Sequence, residues 1–92
     1  MPRRSLVDML SSRVDGRDER GLYIVIYDFE VGSGGKIPTR FYDNLEKLDV
    51  ERLQKSVLLC SSRKSALVAA LLVRHYGGEV RVFRVSGEIE VQ

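Results

Sequence analysis

The chain has one cysteine, Cys60, one histidine, His75, two prolines and no tryptophan. A lone cysteine excludes a disulfide within these residues and fits a reducing, cytoplasmic setting. One histidine and one distant cysteine do not make a zinc site. No apolar run approaches the roughly 18 residues of a membrane-spanning helix, so no membrane partner is expected. Residues 1–20 hold no sustained apolar core of the signal-peptide kind. Side-chain amides are scarce, with Asn44, Gln54 and Gln92 the full set. Beside many arginines and glutamates, that scarcity points toward a thermophile. Repeats and low-complexity tracts are also missing. The 92 residues amount to one domain, and a domain of this size buries only about 60–65% of its unfolded surface. Oligomerisation is the usual support where disulfides are absent.

Two catalytic patterns fail on spacing. Gly32-Ser33-Gly34-Gly35 suggests a phosphate loop, but that motif needs a glycine where Glu30 stands and Ser or Thr where Ile37 follows Lys36. The loop therefore reads as a hinge. Cys60 falls at an expected strand–helix junction, where helix amides stabilise a thiolate. The arginine that would clamp phosphate there is replaced by Ala66, so Cys60 reads as a buried structural thiol. His75, in the last turn of an expected helix, suits the dipole and reads as structural or surface.

The charge that is present is unevenly placed. The net charge is +2, yet residues 52–84 carry Arg52, Lys55, Arg63, Lys64, Arg74, Arg81 and Arg84 against Glu79 alone. A local basic excess suits a polyanion partner, and equally a solubilising surface.

Residues 1–21 read as a basic and acidic N-terminal extension and linker. Within them Leu6, Val7, Met9 and Leu10 form a short amphipathic helical patch that Ser5 caps. Residues 22–92 read as the folded domain. Leu22 to Phe29 is a strand, and a helix starts near Pro38 and carries Phe41, Leu45 and Leu48 on one stripe. Residues 52–60 read as a single second strand. A strongly apolar helix then runs from Ser61 or Ser62 to Gly77-Gly78. Glu79 to Val85 alternates as a strand, Ser86-Gly87 is a turn, and residues 88–91 form a short terminal strand. This order suits a two-layer α/β sandwich with two helices on one sheet face. Tyr23, Val25, Tyr27 and Phe29 share one side of the first strand, and Leu22, Ile24, Ile26 and Asp28 the other. Both sides are apolar, and a face-to-face homodimer would cover the second.

Asp28 ends the apolar run Leu22-Tyr23-Ile24-Val25-Ile26-Tyr27. A strand this apolar belongs at the centre of a sheet. Its terminal carboxylate either bonds loop amides at Glu30 to Gly32 or, with Glu30 on the same rim, ligates a hard cation such as magnesium. One chain has few ligands to offer, and two chains across a dyad would present two copies of Asp28.

The run from Tyr23 to Glu30, the helical stretch Phe41 to Leu48, Arg52-Leu53-Gln54-Lys55-Ser56-Val57-Leu58-Leu59 and the segment Glu79 to Val85 are similar to the CRISPR-associated small adaptation nuclease family. That family is the second of the two core CRISPR adaptation proteins, and the resemblance covers about residues 22–92. It implies a ferredoxin-like α+β sandwich with a small, mainly antiparallel sheet that dimerises through its open face. It implies that Asp28 from two subunits lines a shared, magnesium-binding cleft, and that residues 88–91 extend the partner's sheet. The implied activity is a metal-dependent endonuclease, acting on RNA or DNA. The implied non-catalytic role is to bind duplex DNA between CRISPR integrase subunits. Arg52, Lys55, Arg63, Lys64, Arg81 and Arg84 would contact phosphates. The Arg-Leu-Gln-Lys-Ser stretch and Val80 to Val85 also resemble the virulence-associated protein D family, which implies a toxin-like ribonuclease. The chain departs from the adaptation family in two places. Ser61-Ser62-Arg63-Lys64 leads almost directly into helix, so the family's hairpin between its two helices is expected to be missing or tiny. The first 20 residues have no counterpart.

Overall fold

The structure, a computed structural model, describes residues 5–14, 16–29 and 39–91. The elements run α1 (Leu6–Ser11), β1 (Arg20–Phe29), α2 (Thr39–Leu45), β2 (Val50–Gln54), β3 (Val57–Ser62), α3 (Arg63–His75) and β4 (Gly78–Val85). The sheet order is β2-β3-β1-β4, and every pair is antiparallel. From β1 onward the chain is a βαββαβ unit. With β1 and β3 central, it forms the expected ferredoxin-like sandwich. The Gly32 to Gly35 loop, Pro38 and Glu30 lie outside the described residues.

β1 holds the molecule together because it is paired on both sides. Tyr23, Val25, Tyr27 and Phe29 are buried beneath the helices, while Leu22, Ile24, Ile26 and Asp28 turn to the other face. α3 buries Ala66, Val68, Ala69, Leu72 and Val73 against this sheet. Ser62 caps it by accepting the Ser65 amide, and Gly77, at a φ of +84°, terminates it in the left-handed conformation that glycine adopts readily. α2 is fixed by Phe41, fully buried and edge-on to Tyr27 at 5.2 Å and to Phe29 at 5.0 Å. Such pairs add about 0.5–1.5 kcal/mol beyond simple burial. α1 is closed by a capping box between Ser5 and Asp8, and its Val7 and Leu10 join the same core.

Residues 52–60 are not one strand. They split into β2 and β3 around the two-residue turn Lys55-Ser56, and this supplies the hairpin that seemed to be absent between the helices. The turn contains no glycine or asparagine, the usual signals for so tight a hairpin. β1 holds it instead. The Tyr27 amide donates to the Ser56 carbonyl at 3.1 Å, and the Tyr27 hydroxyl donates to the Lys55 carbonyl at 2.8 Å. The register also shifts between Arg52 and Gln54, a bulge that bends β2. Residues 88–91 are not a strand in the single chain, and Ile89 and Val91 are exposed.

β4 begins where it passes closest to the core. A Cβ on Gly78 would lie 2.7 Å from Val73 Cγ1 and 2.8 Å from Phe29 Cδ1. Gly78→Ala is expected to destabilise the fold by about 1–3 kcal/mol through overpacking, measured as a lower urea midpoint at unchanged slope.

Candidate functional site

Pairing in register puts Asp28 in company. Its partner across β4 is Glu79, and Ile26 faces Arg81. Residues directly opposite in a sheet share a face, with Cβ atoms about 4.5–5.5 Å apart. Asp28, Glu79 and Arg81 are all exposed, on the face the helices leave open. An open cleft of about 540 Å³ lies here, lined by Ile26, Asp28, Glu79 and Arg81 and by Arg74 from the last turn of α3. Two carboxylates and two guanidiniums thus converge on one rim.

The middle of the open face is apolar, and β2 adds Glu51 and Gln54 beside Leu59 and Val57 at its edge. Leu22, Ile24 and Ile26 of β1 stand beside Val57 and Leu59 of β3 and Phe83 and Val85 of β4. Ile26 and Phe83 are each 44% exposed. An antiparallel sheet commonly leaves one face to water, but that face is then polar, and here β1, β3 and β4 fill it with apolar side chains.

The six residues expected to contact phosphate do not form one surface. Arg81 lies beside Asp28, and Lys55 occupies the β2–β3 turn at the same end of the sheet. Arg52 is turned toward the helix layer, with its guanidinium 4.5 Å from the centre of the Tyr42 ring and 3.4 Å from the Tyr42 hydroxyl. Arg63 and Lys64 open α3 at the opposite end, where Arg84 pairs with Glu19 at 2.7 Å. Arg81 and Arg84 sit three apart on one strand, so they take opposite faces. The Arg84 row, opposite Tyr23, is five residues from Asp28 along β1, or about 17 Å at strand rise.

Arg74 and Glu79 complete the Asp28 rim, yet neither stood out in the sequence as a partner of Asp28. Arg74 is separated from it by a helix end, and Glu79 becomes its neighbour only through the β1–β4 register. The described residues contain no group of three or more His, Cys, Asp or Glu placed to hold a metal. Asp28 and Glu79 place two carboxylates side by side on this rim, both of them hard oxygen donors.

Cys60 is fully buried against the helices. Burial, and then the nearby Asp49 charge, push its thiol up to about 11, so it is protonated at neutral pH and does not act as a nucleophile. His75 is exposed and packs edge-on to Tyr76 at 4.9 Å. No described helix is long and apolar enough to cross a membrane. No protein-family model, curated protein or solved structure matches the chain.

Two outcomes follow from this geometry. Glu79→Gln is expected to stabilise the metal-free chain by about 0.2–1 kcal/mol by removing like charges that face each other. A double-mutant cycle with Asp28→Asn should assign that gain to the pair. Cys60, with its acidity suppressed by burial, should resist a thiol reagent at pH 8 until denaturant opens the fold.

Proposed function

We propose that this chain is a homodimeric nucleic-acid-handling protein of the CRISPR adaptation type, with a magnesium-dependent phosphodiesterase site at the Asp28 rim. The observation that carries the reading is the placement of Asp28: exposed at the end of the central strand, across from Glu79 and beside Arg81. The uncovered apolar face supports a second copy packing sheet to sheet, which would bring two such rims together.

In this reading Asp28 and Glu79 would hold magnesium, which would supply an activated water and neutralise phosphate charge. Arg81 and Arg74 grip the phosphate and orient its ester bond, and guanidinium suits that task because it donates in a fork. The β1 backbone, paired on both sides, keeps the Asp28 carboxylate in position while the substrate moves. The apolar dimer face excludes water from below the rim. A CRISPR integrase is the proposed protein partner, and duplex DNA or RNA the proposed ligand.

A non-catalytic binding module is the second reading. It is favoured by the shortage of ligands, since the described residues place only two carboxylates at this rim and no three-ligand group anywhere. The two readings separate in one experiment. Asp28→Ala is expected to abolish magnesium-dependent cleavage, and with it the rise in melting temperature that magnesium gives the wild type, while salt-dependent duplex binding persists. Cleavage that survives the substitution removes Asp28 from the chemistry. Binding with no cleavage by either protein favours the binding module.

A further inference from the structure

β4 is an edge of the sheet, and its outer side meets no other described strand. The Tyr27 amide donates to the Ser56 carbonyl, on the β3 side, so the backbone groups of Ile26 and Asp28 turn the other way, toward Arg81 and Glu79. Alternation then sends the backbone groups of Val80, Val82 and Arg84 outward. Their side chains lie opposite Tyr27, Val25 and Tyr23, on the helix face. Proteins usually blunt so long an edge with a proline, a bulge or a cover. Here the register with β1 runs without a shift from Phe29 and Gly78 to Leu22 and Val85, and the strand holds no proline. The arginines it carries, Arg81 and Arg84, discourage pairing with a second β4 but not with a strand that has acidic residues.

An open trough of about 490 Å³ adjoins this edge on the helix side. α3 lines it with Arg63, Leu67, Ala70, Leu71 and Arg74, which recur at helical spacing and so form one stripe. The stripe is apolar in the middle and cationic at both ends, about 16 Å apart at helical rise. β4 contributes Val80 and Val82, and the stretch after α1 contributes Val14 and a third guanidinium, that of Arg13. No acidic residue is among the lining residues.

We propose that the outer edge of β4 takes an extended segment of a partner protein as an added strand, and that the trough selects a segment with acidic residues at its ends and apolar residues between them. Main-chain bonds to Val80, Val82 and Arg84 supply affinity, and side chains at alternate positions of the segment enter the trough. Such positions repeat about every 6.5–7 Å along a strand, so three or four of them reach from Arg63 to Arg74. The central ones lie over Leu67 and Leu71, and the outer ones meet the guanidiniums. The chain's own residues 88–91 do not fit this pattern. Glu88 and Glu90 alternate strictly with Ile89 and Val91, so a strand made of them is acidic on one face and apolar on the other. Docking at this edge leaves the open sheet face free, so the inference stands apart from the homodimer and the metal site proposed above.

The probe is a synthetic heptapeptide with glutamate at both ends, two valines on the same face between them, and threonine at the intervening positions. The readout is hydrogen exchange and the amide resonances of β4 in the full chain. Saturating peptide is expected to slow exchange of the Val80, Val82 and Arg84 amides at least about tenfold, while those of Glu79 and Arg81, already bonded to β1, change little. Replacing the two glutamates by lysine, or making Arg13→Glu in the protein, should weaken binding about tenfold. Arg13 is exposed, so its reversal leaves the fold intact. No added protection of the outward amides, or equal binding of the acidic and basic peptides, overturns the proposal. Outward amides that are protected before any peptide is added, and lose that protection in Ile89→Lys/Val91→Lys, give the edge to the tail of a second copy and overturn it too.

Discussion

Tyr27 ties three parts of the molecule to one side chain. Its ring packs edge-on to Phe41 and Phe29, which fixes α2 over the sheet. Its amide and hydroxyl hold both residues of the β2–β3 turn. Burial raises its pKa, so the hydroxyl stays protonated and remains a donor to the Lys55 carbonyl. Without this anchor the Lys55-Ser56 turn has little local reason to be tight, and β2 has no other strand to pair with than β3. Asp28, the next residue, inherits its position from the same anchor: it lies on the other face of a strand that is paired on both sides.

Much of this was legible in the sequence. The alternation in Leu22 to Phe29 gave the two faces of β1, the apolar run from Ala66 to Val73 gave α3, Ser5 marked a real cap, and of Ser61 and Ser62 the second is the cap of α3. What escaped was held by tertiary contacts. The Lys55-Ser56 turn carries no glycine or asparagine, so residues 52–60 looked like one strand, and a backbone bond from β1 makes the difference. Ile89 and Val91 alternate with Glu88 and Glu90 as a strand should, but a strand needs a neighbour, and the single chain provides none for residues 88–91. Asp28 was visible as a strand-end carboxylate. Its pairing with Glu79 was not, because a one-residue change of register would have put Glu79 on the opposite face.

The basic excess between residues 52 and 84 shows the same limit more sharply. Read along the chain it suggests a patch. In space it is divided between two ends of the sheet and between both of its faces, and several of its members are already engaged. Arg52 is committed to Tyr42, Arg84 to Glu19, and the α3 amides beside Lys64 and Arg63 to Asp18 and Glu19. Charge counted by composition overstates the field a polyanion would meet, since opposite charges within a few ångströms cancel at longer range.

That cancellation constrains how this fold can hold a nucleic acid. At one rim Asp28 and Glu79 offset Arg81 and Arg74, and at the other Asp18 and Glu19 offset Arg84 and the start of α3. The first rim is neutral by count, the second keeps one excess positive charge with Arg63, Lys64 and Arg84 against Asp18 and Glu19, and phosphate affinity comes from unbalanced positive charge. A divalent cation at the Asp28 rim would unbalance the first. At both rims, carboxylates limit how much positive charge the neighbouring basic side chains present.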